Sequence, residues 1–173
     1  MILKHYLFYL IMLITLTGAN RVSTTDASIE KDYDLKSEFL YRLVDYVNWP
    51  NFSKEQTLKI AVLESSRISD SLRSRAKNKK INVKEYKSLK EIRSCQILFI
   101  PYNCTIPLET ILSDFSGKPV LIVTEKKGFG KKGAHLNFVT IGNKLKFEVN
   151  IKAINIAGIG VSSFLLQHAI IIR

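Results

Sequence analysis

Short apolar runs alternate with amphipathic segments through the middle of this 173-residue chain. Leu58–Leu63 and residues 95–100 and 119–124 are apolar runs with the length of a buried strand. Between them, residues 68–79 and 107–115 have the apolar spacing of helices. Because strands that alternate with helices form βαβ units, this order predicts an α/β fold with a mixed, largely parallel central sheet and helices on both faces.

Elements on either side of this core extend the predicted sheet. From Asp34 the apolar residues recur every three or four positions, which predicts a helix that ends before the Trp49–Pro50 pair. Ile81–Tyr86 alternates between apolar and polar residues, as a half-buried or edge strand does. Thr105 is a candidate N-cap for the helix that comes after it.

The last third of the chain predicts a β-hairpin and then a helix. Leu136–Ile141 and residues 144–151 flank Gly142-Asn143, which is typical of a two-residue hairpin turn. A final helix is expected from Ile154 to about Ile170.

The N-terminal residues have the pattern of an export signal. Lys4 and His5 precede an apolar run over residues 6–16, and small residues come after it. We predict a cleavable signal peptide over residues 1–19, and an uncleaved anchor is the alternative. Residues 20–33 are predicted to be a disordered lead-in. Residues 34–173 are predicted to form one α/β domain.

The chain is basic, with a formal net charge of +11. Many of the cations lie between Arg67 and Arg93. Nucleic acid is not an expected partner, because an exported protein rarely meets any, so solvated faces or an anionic membrane surface explain the charge better. Four further lysines form a second cluster: Lys126, Lys127, Lys131 and Lys132.

Those lysines surround a glycine motif, since residues 128–133 read Gly-Phe-Gly-Lys-Lys-Gly. The spacing is that of a dinucleotide fingerprint, but such a fingerprint needs a helix to begin there. A strand is predicted instead. We therefore interpret the segment as a basic loop that is a candidate for binding a small anion, and no cofactor is expected.

Catalytic and metal-binding patterns are weak in this sequence. His135 and His168 lie beyond the predicted signal peptide, and neither stands at metal-ligand spacing with Cys95 or Cys104. The cysteines are expected to be free, because an extended strand between them would hold them too far apart for a disulfide, and a sharp reversal of the chain at Pro101 is the alternative. A Cys–His nucleophile pair stays open as an alternative, since such partners need only meet in space. We expect no enzyme.

Residues 153–172 form a stretch without a charge. Its length is close to that of a transmembrane helix. A polar stripe along it favours a buried helix packed on the sheet: Asn155, Ser162, Ser163 and Gln167.

Several of these segments together resemble the YfiR family of bacterial periplasmic proteins. The resemblance runs from about Asp34 to Ala169. It is carried by residues in a characteristic order: Lys36, Phe39-Leu-Tyr41, Val47-Asn-Trp-Pro50, Leu58–Leu63, Cys95-Gln-Ile-Leu-Phe-Ile100, Val120-Leu-Ile-Val-Thr124, Gly128-Phe129, Gly133-Ala-His-Leu-Asn-Phe138, Lys146-Phe-Glu-Val-Asn150, Ala157-Gly158, Ser162-Ser163 and Leu165-Leu166.

The resemblance implies an α/β protein that regulates without catalysis. Well-understood relatives repress an inner-membrane diguanylate cyclase by contacting its periplasmic region, and an OmpA-like outer-membrane lipoprotein releases that brake. Cyclic di-GMP and biofilm behaviour are then controlled from the periplasm, and some relatives form homodimers. Relatives often carry a cysteine where this sequence has Ala61, so disulfide control is not expected here.

The function predicted from the sequence is therefore a periplasmic regulator that binds and represses a membrane-bound signalling protein, with a diguanylate cyclase as the expected partner. Tyr41, Trp49 and Phe52 are the candidate partner-binding residues, with core packing as the alternative. The alternative function is a periplasmic receptor for a small anionic ligand, which the lysines of residues 126–132 would bind.

Overall fold

A computed structural model describes residues 24–53, 55–64, 66–77 and 80–173. The predicted signal peptide over residues 1–19 lies outside these residues. The chain divides into two compact units, Met1–Glu30 and Lys31–Arg173. Of the first unit, the structure describes residues 24–30, which are helical. The second unit holds the sheets of the described chain.

The centre of this unit is a seven-stranded sheet in the order β3-β2-β4-β5-β6-β7-β9. The pairs from β3 to β6 are parallel, β6 and β7 are antiparallel, and β9 is parallel to β7. A separate antiparallel ribbon joins β1 to β8. The strands are β1 (Val47–Asn48), β2 (Leu58–Leu63), β3 (Ile81–Tyr86), β4 (Ile97–Ile100), β5 (Leu121–Thr124), β6 (Leu136–Ile141), β7 (Lys144–Asn150), β8 (Gly160–Val161) and β9 (Ile170–Ile172).

Helices cover both faces of the sheet, so the predicted fold class is confirmed. On one face, α1 and α2 pack with alternate strand residues such as Ile60 and Phe99. On the other face, Leu108 and Ile111 of α3 pack against Leu98 and its neighbours. The helices are α1 (Thr24–Leu43), α2 (Ile68–Ala76), α3 (Leu108–Asp114), α4 (Ile151–Ile156) and α5 (Ser163–Gln167), and 3-10 turns lie at Val44–Tyr46 and Leu89–Glu91.

Helix α1 begins earlier than the sequence pattern predicted. It starts at Thr24, so the prediction of a disordered lead-in was wrong for residues 24–33, and residues 20–23 lie outside the described part. The buried stripe of the helix includes Tyr33 and continues through Ser37 and Leu40. Because Tyr33 and Ser37 are polar or mixed in character, counting aliphatic residues alone missed this turn.

The C-terminal segment is not the single helix that was predicted for residues 154–170. It folds as α4, β8, α5 and β9. Gly158 adopts a φ of +67°, a left-handed conformation that ends α4, and Ser162 caps α5 by accepting a hydrogen bond from the Leu165 amide. The three isoleucines of β9 are β-branched residues, which favour strands.

Because the C-terminal segment is divided into short elements, no single helix covers the uncharged stretch of residues 153–172. None of the helices in the described part of the chain is long and apolar enough to cross a membrane.

Smaller differences concern the helices on either side of β4. The N-cap of α3 is Pro107 rather than Thr105, whose hydroxyl instead donates to Glu64 Oε1 at 2.7 Å. Helix α2 ends at Ala76, before the predicted end at residue 79. The edge position of β3 and the turn at Gly142-Asn143 are as predicted.

Candidate functional site

Two of the three predicted partner-binding residues meet in space. Trp49 is 7% exposed, and its indole N–H donates to the Gln96 carbonyl at 3.0 Å. Phe52 is half-buried and meets the Trp49 ring edge-on, with 6.0 Å between the ring centroids. Both rings line a mainly apolar hollow of about 310 Å³ beside β1 and the start of β2. Trp49 is therefore a core residue whose ring also forms the wall of a pocket.

Tyr41 lies apart from this pair in the structure. It is half-buried on α1 and is not among the residues that line the hollow. The structure thus places the three predicted contact residues in two different surroundings rather than in one patch.

The four predicted anion-binding lysines lie on the loop between β5 and β6, and all four are exposed. The Lys126 ammonium lies over the Phe129 ring, 5.3 Å from its centroid. The loop leads into β6, as predicted, so its glycines do not open a helix. At Gly130 a Cβ would come within 2.6 Å of Glu148 Oε2, and the Gly130 carbonyl accepts from Asn150 Nδ2 at 3.0 Å. This glycine serves the close packing of the loop on β7.

A hollow of about 390 Å³ beside this loop carries both signs of charge. It is lined by Lys36 and Lys127, and also by the carboxylates of Glu125 and Glu148. Because the two carboxylates oppose an anionic ligand, the basic loop alone does not make an anion site here.

Glu125 beside this hollow has a deeply buried side chain, of which 2% is exposed. Its carboxylate accepts hydrogen bonds from Lys36 Nζ at 2.7 Å and from the Tyr102 amide at 3.1 Å. Burial lowers the pKa of Lys36, but hydrogen bonds to Asp32 and Glu125 outweigh it, and the net pKa is raised. Burial, and then the charge of Glu125, raise the pKa of Tyr33. These groups form a structural clamp between α1 and the end of β5.

A second polar chain runs across β5, β6 and β7. Thr124 Oγ1 donates to Asn137 Oδ1 at 2.5 Å, and Asn137 Nδ2 donates to Glu148 Oε2 at 2.9 Å. Thr124 and Asn137 are fully buried. Sequence reasoning missed this chain because its members come from three strands.

The crevice at the carboxyl ends of β2 and β4 is where open α/β sheets usually bind ligands, since the strand order reverses there. Here a side chain bridges it. Glu64 has a left-handed φ of +62°, and its Oε1 accepts from the Thr105 amide at 3.2 Å and from the Thr105 hydroxyl. The two loops are therefore tied together across the crevice.

An exposed group of aromatic rings lies at α5, and we call it the aromatic column: Tyr46, Phe164 and His168. Phe164 is 53% exposed and stacks on Tyr46 with 5.1 Å between the ring centroids and 20° between the planes. His168 lies on the same Phe164 ring at 4.7 Å. Exposed aromatic residues are typical of protein-binding hot spots. The sequence did not reveal the column, because α5 was predicted to be part of a longer helix.

Burial shifts the pKa values of the two cysteines and of His135 away from those that a Cys–His nucleophile pair needs. Burial raises the pKa of Cys95 to about 12, against the opposing charges of Lys118 and Lys59. Burial is also the main cause that raises the pKa of Cys104. Burial lowers the pKa of His135 to about 4, and its Nδ1 accepts from the Ile122 amide at 3.1 Å. Because a nucleophilic cysteine needs a lowered pKa, this geometry does not support a Cys–His pair.

The described residues contain no group of three or more His, Cys, Asp or Glu side chains that could hold a metal ion. Fold and site together define a mixed α/β protein with open hollows and an exposed aromatic surface. The sequence pattern of the DUF4154 family, YfiR/HmsC-like, matches residues 33–170, and the chain belongs to this family. The resemblance seen in the sequence is thereby confirmed. Proteins of the YfiR-like family are periplasmic regulators of diguanylate cyclases and are generally non-catalytic.

Among solved structures, the fold is similar to an ABC domain from Streptococcus pneumonia in complex with L-Trp, with a TM-score of 0.57 and 13% identity. The alignment covers 82% of this chain and 60% of that one, so the chain spans about 60% of that protein's length. At this identity the likeness shows the fold alone. No curated protein matches the chain.

Proposed function

We propose that this protein is a non-catalytic periplasmic regulator that binds the periplasmic region of an inner-membrane diguanylate cyclase and holds the cyclase inactive. The observation that carries the proposal is the family match over residues 33–170, which spans almost the whole second unit. Cyclic di-GMP, and with it biofilm formation, would respond to this contact. A tenfold repression needs a preference of about 1.4 kcal/mol for the inactive state of the cyclase, which one modest interface supplies.

The aromatic column is the surface that best suits this contact. Phe164 presents more than half of its surface to solvent, yet its ring contacts the rings of Tyr46 and His168. A pre-ordered aromatic residue loses little conformational entropy when a partner covers it. Tyr41 on α1 is proposed as a second contact, and Trp49 and Phe52 would contribute through the wall of their hollow rather than as exposed anchors.

Export is part of the same proposal. Residues 1–19 would be removed as a signal peptide, and the mature chain would begin near Asn20. Mass spectrometry of the protein from a periplasmic fraction checks this directly, because a chain that keeps Met1 in the cytosol contradicts it.

The test of repression compares two exposed aromatic residues at different places on the unit. Phe164→Ala should weaken binding to the periplasmic region of the cyclase by at least about tenfold, the usual effect at a hot spot. Tyr102→Ala is the matched control, since Tyr102 is 63% exposed and its described contact to Glu125 is made by its backbone amide. Cellular cyclic di-GMP should rise with Phe164→Ala and stay at the wild-type level with Tyr102→Ala.

Two results would contradict the proposal. One is wild-type cyclic di-GMP in cells that lack the protein altogether. The other is failure of the purified mature chain to bind any periplasmic cyclase region from the same cell. If the two aromatic variants behave alike while deletion of the protein raises cyclic di-GMP, the aromatic column is not the cyclase-binding surface. The proposed regulatory role then still stands.

The proposal also includes two further steps, relief of the cyclase repression and self-association of the regulator. We expect an OmpA-like outer-membrane lipoprotein to sequester the regulator, and a homodimer is a further expected state. Cross-linking in intact cells, combined with mass spectrometry, identifies either partner by its linked peptides.

The alternative function, an anion receptor built on the loop lysines, has less support. Glu125 and Glu148 line the hollow beside that loop and oppose an anion there.

A further inference from the structure

A wide hollow of about 800 Å³ lies at the amino ends of β2, β4 and β5, opposite to the crevice that Glu64 bridges. Its described lining comes from the segments that lead into these strands, around Thr57, Ser94 and Pro119, and from the Trp49–Phe52 turn. We call it the amino-end trough. Its volume is within the range of small-molecule pockets, about 300–1,000 Å³.

The lining of the trough combines flat apolar rings with positive charge. The rings are those of Trp49, Phe52 and Phe115, and the cations are Lys59, Arg93 and Lys118. Glu55 is the one carboxylate among the described lining residues. The described lining therefore carries a net positive charge.

The trough is built on a rigid frame. The Gln96 carbonyl accepts the Trp49 indole N–H at 3.0 Å and the Leu121 amide at 2.8 Å. The Gln96 side-chain oxygen accepts the Lys59 amide at 2.9 Å. One residue thus joins the aromatic wall to β2 and β5, so a ligand would meet a largely pre-formed site.

Two of the cations contact uncharged groups among the described residues. Lys59 Nζ donates to the neutral Ser94 hydroxyl at 3.1 Å, and the Lys118 ammonium lies over the Phe115 ring, 5.2 Å from its centroid. The two ammonium groups both act on the Cys95 thiol at the base of the trough, where their charges lower its pKa against the larger effect of burial. Positive charge is therefore concentrated in one place.

We infer that the amino-end trough binds an amphipathic organic anion: a carboxylate, sulfonate or phosphate group held by Lys59, Arg93 and Lys118, attached to a flat apolar body that lies against Trp49 and Phe115. The ligand needs both parts, because the cations select the anionic group and the rings accept the apolar surface. This site is distinct from the loop of residues 126–132 and from the aromatic column, and it shares only Trp49 and Phe52 with the proposed cyclase contact.

Trp49 provides a direct readout, because it is the only tryptophan in the chain. Purified mature protein is titrated with phenyl phosphate while Trp49 fluorescence is recorded. Benzyl alcohol tests the need for the anion, benzylamine reverses the charge, and inorganic phosphate tests the need for the ring. Phenyl phosphate should give a saturable change and raise the Tm, and each of the other three should bind at least about tenfold more weakly.

The variants locate the site. Arg93→Gln and Lys118→Gln should each weaken phenyl phosphate binding by about tenfold, the loss expected for one hydrogen bond to a charged group. The double variant Lys126→Gln/Lys127→Gln, which removes exposed cations from the β5–β6 loop, is the matched control and should bind as the wild type does.

Three outcomes would overturn the inference: equal binding of benzyl alcohol and phenyl phosphate, a loss of affinity in the loop variant that equals the loss in the trough variants, or neither a fluorescence change nor a Tm rise with millimolar phenyl phosphate. Each measurement uses the isolated chain. Absence of cyclase repression would therefore not affect the ligand-binding result. Absence of ligand binding would likewise not affect the proposed regulatory role.

Discussion

Glu125 is a carboxylate that the fold buries almost completely, with 2% of its side chain exposed. An isolated charge in such a place would be costly, but Lys36 lies 2.7 Å away and is itself 11% exposed. Removal of one partner from a buried ion pair leaves the other uncompensated, and this costs much more than the loss of a surface pair. The clamp thus helps to hold α1 against the end of β5.

The first prediction rests on this burial. Lys36→Met should lower the free energy of unfolding by about 3 kcal/mol, since Glu125 is left buried without its cation. Urea denaturation of the mature chain measures the change. Arg42→Ala, which removes the exposed partner of Glu38 on the same helix, should cost less than about 1 kcal/mol. An equal decrease in the free energy of unfolding in the two variants would show that Lys36 does not stabilise the buried Glu125 carboxylate.

His135 predicts a dependence of stability on pH. Burial lowers its pKa to about 4, although a hydrogen bond to the Val120 backbone works against this. The unfolded chain takes up a proton near pH 6.5, whereas the folded chain does so only near pH 4. The unfolding free energy should therefore fall as pH decreases between these values, by about 3 kcal/mol at most for this group.

The comparison that isolates His135 uses His168, the other histidine of the described residues. Denaturation curves between pH 7 and pH 4 should be flatter in His135→Gln than in the wild type. His168→Gln, the same substitution at an exposed position, is the matched control. A slope that depends on His168 instead would disprove the assignment.

At the scale of elements, the sequence predicted the longer strands of the central sheet better than the short strands β1 and β8 and the C-terminal segment. The strands β2, β4 and β5 are largely buried on both faces, so they appear as nearly continuous apolar runs, with Lys59 of β2 as the exposed exception. The hairpin of β6 and β7 was also predicted, because its turn residues and alternation are local signals. In contrast, β1 and β8 are two residues each and pair across more than a hundred positions, so no local pattern marks them.

The C-terminal segment shows why periodicity failed there. Over a short run, closely spaced isoleucines are compatible with either a helix or an apolar strand. Only the tertiary pairing distinguishes the two. In β9 the pairing with β7 decides the outcome, since Ile171 packs into the core whereas Ile170 is 37% exposed.

This alternation gives the element-scale prediction. Ile171→Ala should lower the unfolding free energy by about 1–2 kcal/mol, as expected for a partly buried aliphatic side chain. Ile170→Ala should cost less than half of that, because its side chain is more exposed. Chemical denaturation of both variants measures the difference. If the two costs are equal, residues 170–172 do not pair with β7 as a strand.

For the whole molecule, the candidate sites were harder to predict than the fold. Trp49 and Phe52 were chosen as candidates from the sequence because they are large aromatic residues close together in the chain, and the structure places both beside one hollow. The amino-end trough was not found, since Lys59, Arg93 and Lys118 come from three separate segments that only the parallel sheet brings together. The loop lysines attracted attention because they are adjacent in sequence, yet they are spread over an exposed loop.

The two cysteines predict how the whole regulator responds to oxidation. Cys95 precedes β4 and Cys104 comes after it, and both are free and buried. At about 3.3 Å per residue, that strand separates their Cα atoms by more than the roughly 7 Å that a disulfide allows.

The proposed repression of a cyclase should therefore be the same under oxidising and reducing conditions, since burial also raises the pKa of Cys95 to about 12 and leaves little reactive thiolate. The double variant Cys95→Ser/Cys104→Ser should repress as the wild type does. Mass spectrometry of the denatured, alkylated protein should find two modified thiols even after treatment with an oxidant. A single intramolecular disulfide in that experiment would mean that the loop after β4 can fold back on the strand, and control by redox state would then return as a property of this regulator.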